Sequence, residues 1–247
     1  MTRHAAYHDE VVTALRTIGN PTRGEAIRLD RGSELQYLGI GFPALRARVK
    51  QGFSFSGLPE AEVFAIWDAL WRSSPYGDVL FAALETLAPI VRKRVPPTLW
   101  PTIRPWSERI DNWCHSDALS GIYSRVLEAQ FADVYPQLQA WNTAPSEWLR
   151  RLSLTCLIHY SGKNAVFLAP EQMLPLVANC VADHRKYVEL AVGWILRELG
   201  HVHPDEVAAF LERHAAGMSS RAFARAVERR APAERAQLLA MRKARAG

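Results

Sequence analysis

An all-α fold is predicted by three observations. Apolar residues recur at helical spacing along most of the 247 residues, as in Val63, Phe64, Trp67, Leu70 and Trp71, which fall at i, i+1, i+4, i+7 and i+8. Prolines at 59, 145, 170 and 204 stand where successive periodic segments begin, the place a helix tolerates them best. No stretch shows the period-2 alternation of a half-buried strand.

The segments follow in order. Residues 7–18 and 22–31 read as two short helices. Tyr37-Leu38-Gly39-Ile40-Gly41-Phe42-Pro43 then breaks the pattern, with Pro43 suited to the first turn of a helix carrying Arg46, Arg48 and Lys50. Pro59 opens the helix of the Val63–Trp71 stripe, and Ser73-Ser74-Pro75-Tyr76-Gly77 ends it. Leu80, Leu84, Leu87 and Val91 mark the next, with Arg92-Lys93-Arg94 placed to favour its C-terminal dipole. Helices are then expected at 97–112, 116–129, 131–141, 146–160, 170–182, 185–199, 204–215, 219–229 and 233–244, the 116–129 helix beginning within Trp113–Asp117.

Composition bounds the rest. At 49% apolar and 22% charged residues, the chain can bury a core and is expected to form one domain over 1–247. No apolar run reaches the ~18 residues of a spanning helix, and the start lacks the apolar stretch of a signal peptide. Cys114, Cys156 and Cys180 are odd in number and scattered, so a disulfide framework is not expected. The expected setting is cytoplasmic and reduced, with no membrane partner, and the expected state is a monomer. The net charge of +5 is uneven: residues 185–247 hold 12 Lys/Arg against 7 Asp/Glu, and the remainder holds 18 of each. Basic helices suit a phosphate backbone, but equally plain solubility.

Helix pairs recur about every 40 residues, the period of HEAT-type repeats, which predicts a curved helical-repeat solenoid of antiparallel pairs. The helices at 147–160 and 188–199 are apolar nearly all round, as expected of an inner layer. Arg150-Arg151 interrupts one, and Trp194 with Arg197 interrupts the other. Trp113/Asp117, Arg151 and Trp194 lie 34–38 and then 43 residues apart, about one repeat each, and so are expected to converge on one concave patch.

Trp113 and Asp117 sit at i and i+4, sharing a helix face with their Cβ atoms about 6 Å apart. An aromatic face beside an anion suits a cationic partner. On spacing alone, a core Trp near a capping or solvated Asp fits better.

Four motifs stand out: Tyr37-Leu38-Gly39-Ile40 with Pro43-x-x-Arg46, Ile110 to Asp117 as a Trp-x-x-x-Asp site, Trp148-Leu149-Arg150-Arg151, and Ala191-Val192-Gly193-Trp194-Ile195-Leu196-Arg197-Glu198. Together, and over nearly the whole chain, they resemble the AlkD-like DNA alkylation repair glycosylases. The resemblance implies a HEAT-like solenoid around duplex DNA that releases cationic N3- or N7-alkylated purines. It implies Trp113 and Trp194 against the deoxyribose of the lesion, Asp117 as catalytic carboxylate and Arg151 on a neighbouring phosphate. Arg46, Arg150, Arg197 and Arg221 would be further backbone contacts. The chemistry suits these residue types: the alkylated purine already carries positive charge, and the sugar turns oxocarbenium-like as it leaves. A fixed carboxylate stabilises that charge.

Two positions depart from the family pattern. Cys114-His115-Ser116 stand where relatives often carry an acidic residue first and an aliphatic one third, and Leu190 stands where a basic residue is common. Cys114-His115 and His201-x-His203 lack a second ligand pair at zinc spacing, so neither a metal nor a cofactor is expected. The partner expected is double-stranded DNA carrying alkylated bases. Two other functions fit an α-solenoid: a non-catalytic paralogue binding branched or distorted DNA, and a protein-binding scaffold. Trp67, Trp71, Trp100, Trp106, Trp141 and Trp148 read as packing residues.

Overall fold

In a computed structural model, which describes residues 3–159 and 165–246, the chain is all-helical, with two isolated bridges (Gln36–Tyr76 and Ile158–Val166) among the described residues. Its contacts divide after Ala129 into two compact units.

The first unit holds α1 (Arg3–Arg16), α2 (Pro21–Arg31), α3 (Phe42–Lys50), α4 (Glu60–Ser73), α5 (Gly77–Lys93), α6 (Leu99–Ile103) and α7 (Trp113–Ala129). Asn20 starts α2 by accepting a hydrogen bond from the Arg23 N–H at 3.0 Å, and Gly32 ends it in the left-handed region at φ 59°. The centre is α5, buried from Gly77 to Leu84, against which α3, α4 and α7 pack. Trp67, Trp71 and Trp106 are fully buried, with Trp71 stacked on Trp106 at 4.4 Å. Gly39, at φ 79°, is required by closeness as well as conformation: a Cβ there would lie 2.0 Å from the Asn20 carbonyl oxygen.

The expected helix over 97–112 is corrected. It breaks into α6 and a 3-10 turn over Arg104–Arg109, followed by extended backbone at Ile110. Pro105, at the start of that turn, has no N–H to donate, so one bond of an α-helical ladder is missing there.

The second unit holds α8 (Phe131–Asn142), α9 (Glu147–Thr155), α10 (Pro170–Cys180), α11 (Lys186–Val202), α12 (Pro204–His214), α13 (Ser220–Ala226) and α14 (Pro232–Ala246). It is a two-layered stack: α8, α10, α12 and α14 pack side by side in one layer, and α9, α11 and α13 in the other. The nearly all-apolar helices anticipated at 147–160 and 188–199 are α9 and α11 of that second layer. Of these, α9 is shorter than expected. It stops at Thr155, and Ile158 then bridges to Val166; residue 160 lies outside the described residues. Asn142 ties the layers by donating to Ser153 Oγ at 2.9 Å and the Leu176 carbonyl at 3.1 Å.

Candidate functional site

The start of α7 is built by a buried polar network. Asn112 is fully buried, and its Oδ1 accepts from the backbone N–H groups of Cys114 and His115, both at 3.0 Å, capping the helix. Its Nδ2 is shared among Asp111 Oδ1 at 2.6 Å, His115 Nδ1 at 2.8 Å and the Tyr37 hydroxyl at 3.2 Å. Asp111 Oδ2 accepts from Ser33 Oγ at 2.6 Å and the Glu34 N–H at 2.9 Å. The first turn of α7 is thereby fastened to the segment that carries Leu38-Gly39-Ile40.

His115 is the pivot. The ring stacks on Phe81 at 4.0 Å and on Tyr37 at 6.0 Å, and Nε2 lies 3.0 Å from the Gly77 carbonyl oxygen. A carbonyl only accepts, so Nε2 carries the proton and Nδ1 accepts from Asn112. Burial lowers its pKa to about 4, and the bond to Gly77 only partly opposes this. The imidazole is neutral at pH 7. Burial likewise raises the Asp78 carboxyl, against the backbone N–H groups of Leu38 and Ile40 that stabilise its anion.

On this base α7 presents Trp113, half-buried, and Asp117, 8 % exposed, one turn apart. Between them Cys114 is buried, and burial raises its thiol pKa. The Arg31 charge works against that rise and the Asp117 charge with it. The thiol is not poised as a nucleophile. Sequence reasoning missed Asn112, His115 and Arg31. A capping Asn just before the helix was visible as a signal, but its partner Tyr37 lies 75 residues away in the chain.

In the second unit Arg151 projects from α9 and Trp194 from α11, two packed helices. Arg151 is 4 % exposed and donates to the Tyr187 carbonyl oxygen at 2.6 Å, with its guanidinium 6.0 Å from the Tyr187 ring. Trp194 is half-buried. Trp148 is half-buried too and packs on Tyr187 at 5.0 Å.

The other arginines anticipated on DNA all have carboxylate partners. Arg46 pairs with Glu85 at 2.9 Å and Arg150 with Asp183 at 2.7 Å. Arg197 sits between Glu198 at 2.6 Å and Glu228 at 2.9 Å, and Arg221 pairs with Glu189. Arg46 and Arg221 keep more than half or about half of their side chains exposed, whereas Arg197 keeps 9 %. Among the described residues, no three His, Cys, Asp or Glu side chains gather closely enough to hold a metal ion, and no helix is long and apolar enough to cross a membrane.

A family model described as DNA alkylation repair enzyme matches residues 11–229, which takes in both the α7 site and the α9–α11 pair. The chain belongs to the DNA alkylation repair enzyme family. Similar solved structures share the fold of this family member. A predicted DNA alkylation repair enzyme from Enterococcus faecalis aligns at 14% identity and TM-score 0.71, covering 87% of this chain and 97% of that one. AlkD2 from Streptococcus mutans aligns at 16% identity and TM-score 0.53, covering 82% and 89%. The alkylpurine DNA glycosylase AlkC of Pseudomonas fluorescens, bound to DNA containing an abasic site analog, aligns at 15% and 0.55, covering 97% of this chain and 65% of that one. No curated protein matches the chain.

Proposed function

We propose that this member of the DNA alkylation repair family is a monofunctional glycosylase that hydrolyses the N-glycosidic bond of cationic N3- or N7-alkylated purines in duplex DNA. The observation that carries the reading is the nearly buried Asp117 carboxylate one turn from the half-buried Trp113 indole, on a helix end locked by Asn112 and His115. A carboxylate weakens the hold on a polyanion, so its place beside an aromatic face makes sense as chemistry. Family membership and the DNA-bound structural relative support DNA as the ligand.

As the C1′–N bond breaks, its electron pair neutralises the alkylated purine, which leaves without a general acid. Positive charge grows on the deoxyribose, and Asp117 stabilises it electrostatically. The face of Trp113 adds a cation–π contribution. Water, oriented by Asp117, then bonds to C1′ and passes its proton to the surrounding solvent. Trp194 takes the second aromatic role against the sugar, and Arg151 holds a phosphate, its fork oriented by the Tyr187 carbonyl. Of the further arginines anticipated on the backbone, Arg46 and Arg221 keep half or more of their side chains exposed.

The direct test is to incubate the protein with N-methylated duplex DNA and measure free base. Release of 3- or 7-methylpurine by the wild type and its loss in Asp117→Asn are expected. No release, or release indifferent to that substitution, refutes the reading.

A further inference from the structure

We infer that Arg31 forms a phosphate-binding site for a nucleic-acid backbone beside Asp117, a contact absent from the motifs that carry the family resemblance. Arg31 is the last residue of α2, partly exposed, with its guanidinium 4.8 Å from the Tyr37 ring centroid and 5.2 Å from that of Phe81. These are the two rings that clamp His115, two residues from both Trp113 and Asp117. The position is local to the site: the Arg31 charge reaches the Cys114 thiol, which also feels Asp117.

The neighbouring arginines differ in what they hold. In the same unit Arg28 pairs with Glu25 at 2.7 Å, Arg46 with Glu85 at 2.9 Å, Arg72 with Asp68 at 2.8 Å and Arg94 with Glu60 at 2.7 Å, while Arg16 donates to the Tyr76 hydroxyl and Arg48, Arg92 and Arg109 donate to carbonyl oxygens. Among the described residues Arg31 has no carboxylate within ion-pair distance, although Asp30 precedes it and Asp111 lies in the network below. Its charge acts on the Tyr37 hydroxyl and on the buried Asp78 carboxyl, in both cases against the rise that burial causes. Stacking on ring faces fixes the plane of a guanidinium without using its N–H donors. What remains is a planar fork that turns part of its edge to the Tyr37 hydroxyl and matches, with the rest, the oxygens of a phosphodiester. A cation there also offsets the repulsion between Asp117 and the DNA backbone it must approach.

This inference rests on the glycosylase reading for its ligand, but not for its test. The probe is a duplex containing a non-cleavable abasic-site analogue, with affinity measured across a range of salt. Arg31→Met keeps the stacked chain and removes the charge. It is expected to bind roughly tenfold more weakly at low salt, with the log–log salt slope reduced by about one, at an unchanged melting temperature. Arg31→Gln, also uncharged, is read in the same way if the methionine variant does not fold. Wild-type affinity and slope in the folded variant overturn the inference. If the wild type binds with this Arg31 dependence but excises nothing, the inference stands and the glycosylase reading falls. If the wild type does not bind the duplex, both fall.

Discussion

Asn112 and His115 hold each other twice: the Asn112 side-chain nitrogen donates to His115 Nδ1 at 2.8 Å, and its oxygen accepts from the His115 backbone N–H at 3.0 Å. With Nε2 committed to Gly77, the ring has no site for a second proton that does not break one of these bonds. His115 is a positioning residue in this arrangement. It couples the start of α5 to the start of α7, and so sets where Trp113 and Asp117 stand.

That coupling is pH-dependent with a definite sign. The folded pKa of His115 is about 4, below its ordinary 6.5. Between those values the unfolded chain binds a proton that the folded chain refuses, so stability is full above pH 6.5 and falls as pH drops towards 4. The full loss is about 3 kcal/mol. Thermal melts from pH 7.5 to 4.5 should show this fall, and His115→Gln should flatten it whatever its own melting temperature.

Asp117→Asn keeps size and shape while removing the charge. Excision of methylated purine is expected to fall by about 10²–10³-fold, the scale for losing one preorganised group at a developing charge. Affinity for an abasic-analogue duplex should be equal or higher, because one negative charge has left the face that meets the backbone. Single-turnover base release and equilibrium binding measure the two effects separately.

Gly193, within the Ala191–Glu198 motif, lies where α11 and α13 meet: a Cβ would stand 2.5 Å from the Ala222 carbonyl oxygen and 2.5 Å from Arg225 Cβ. Alanine would gain about 1 kcal/mol of helix propensity. Overpacking against a rigid backbone costs about 1–3 kcal/mol, and backbone contact this close puts the cost at the upper end. Gly193→Ala should therefore lower the unfolding free energy in denaturant titration. A melt at or above wild type would show that α13 yields freely.

Arg221 must be tested together with Glu189. The Glu189 side chain is 7 % exposed and lies against Arg221, with His184 3.9 Å away. Arg221→Ala strands that carboxylate and should destabilise by about 1–2 kcal/mol, less than a fully buried pair because Arg221 is half-exposed. Arg221→Ala with Glu189→Gln should recover most of it. If Arg221 also meets a phosphate, the double variant still shows a shallower salt dependence of DNA binding than Glu189→Gln alone.

Much of the architecture could be read directly from the chain, since apolar spacing, proline placement and capping residues are local signals. The boundaries of α2, α3, α7 and α12 follow from Asn20, Pro43, Asn112 and Pro204 and their immediate neighbours. The helix expected at 97–112 failed because Pro105 outweighs apolar periodicity. Arg31 was illegible for the opposite reason. Nothing near it in sequence separates it from a solvated helix end, and its ring partners arrive from residues 37 and 81.

The sequence by itself determined the helices, the family-like motifs and the residue types available for chemistry, because each depends on neighbours within a turn or two. Only the tertiary structure decided which polar groups are neutral, paired or held ready. A neutral His115, a carboxylate-bound Arg197 and a ring-stacked Arg31 differ through burial and through partners such as Gly77, Glu228 and Phe81, each dozens of residues away, and desolvation acts only once those partners have closed around the group.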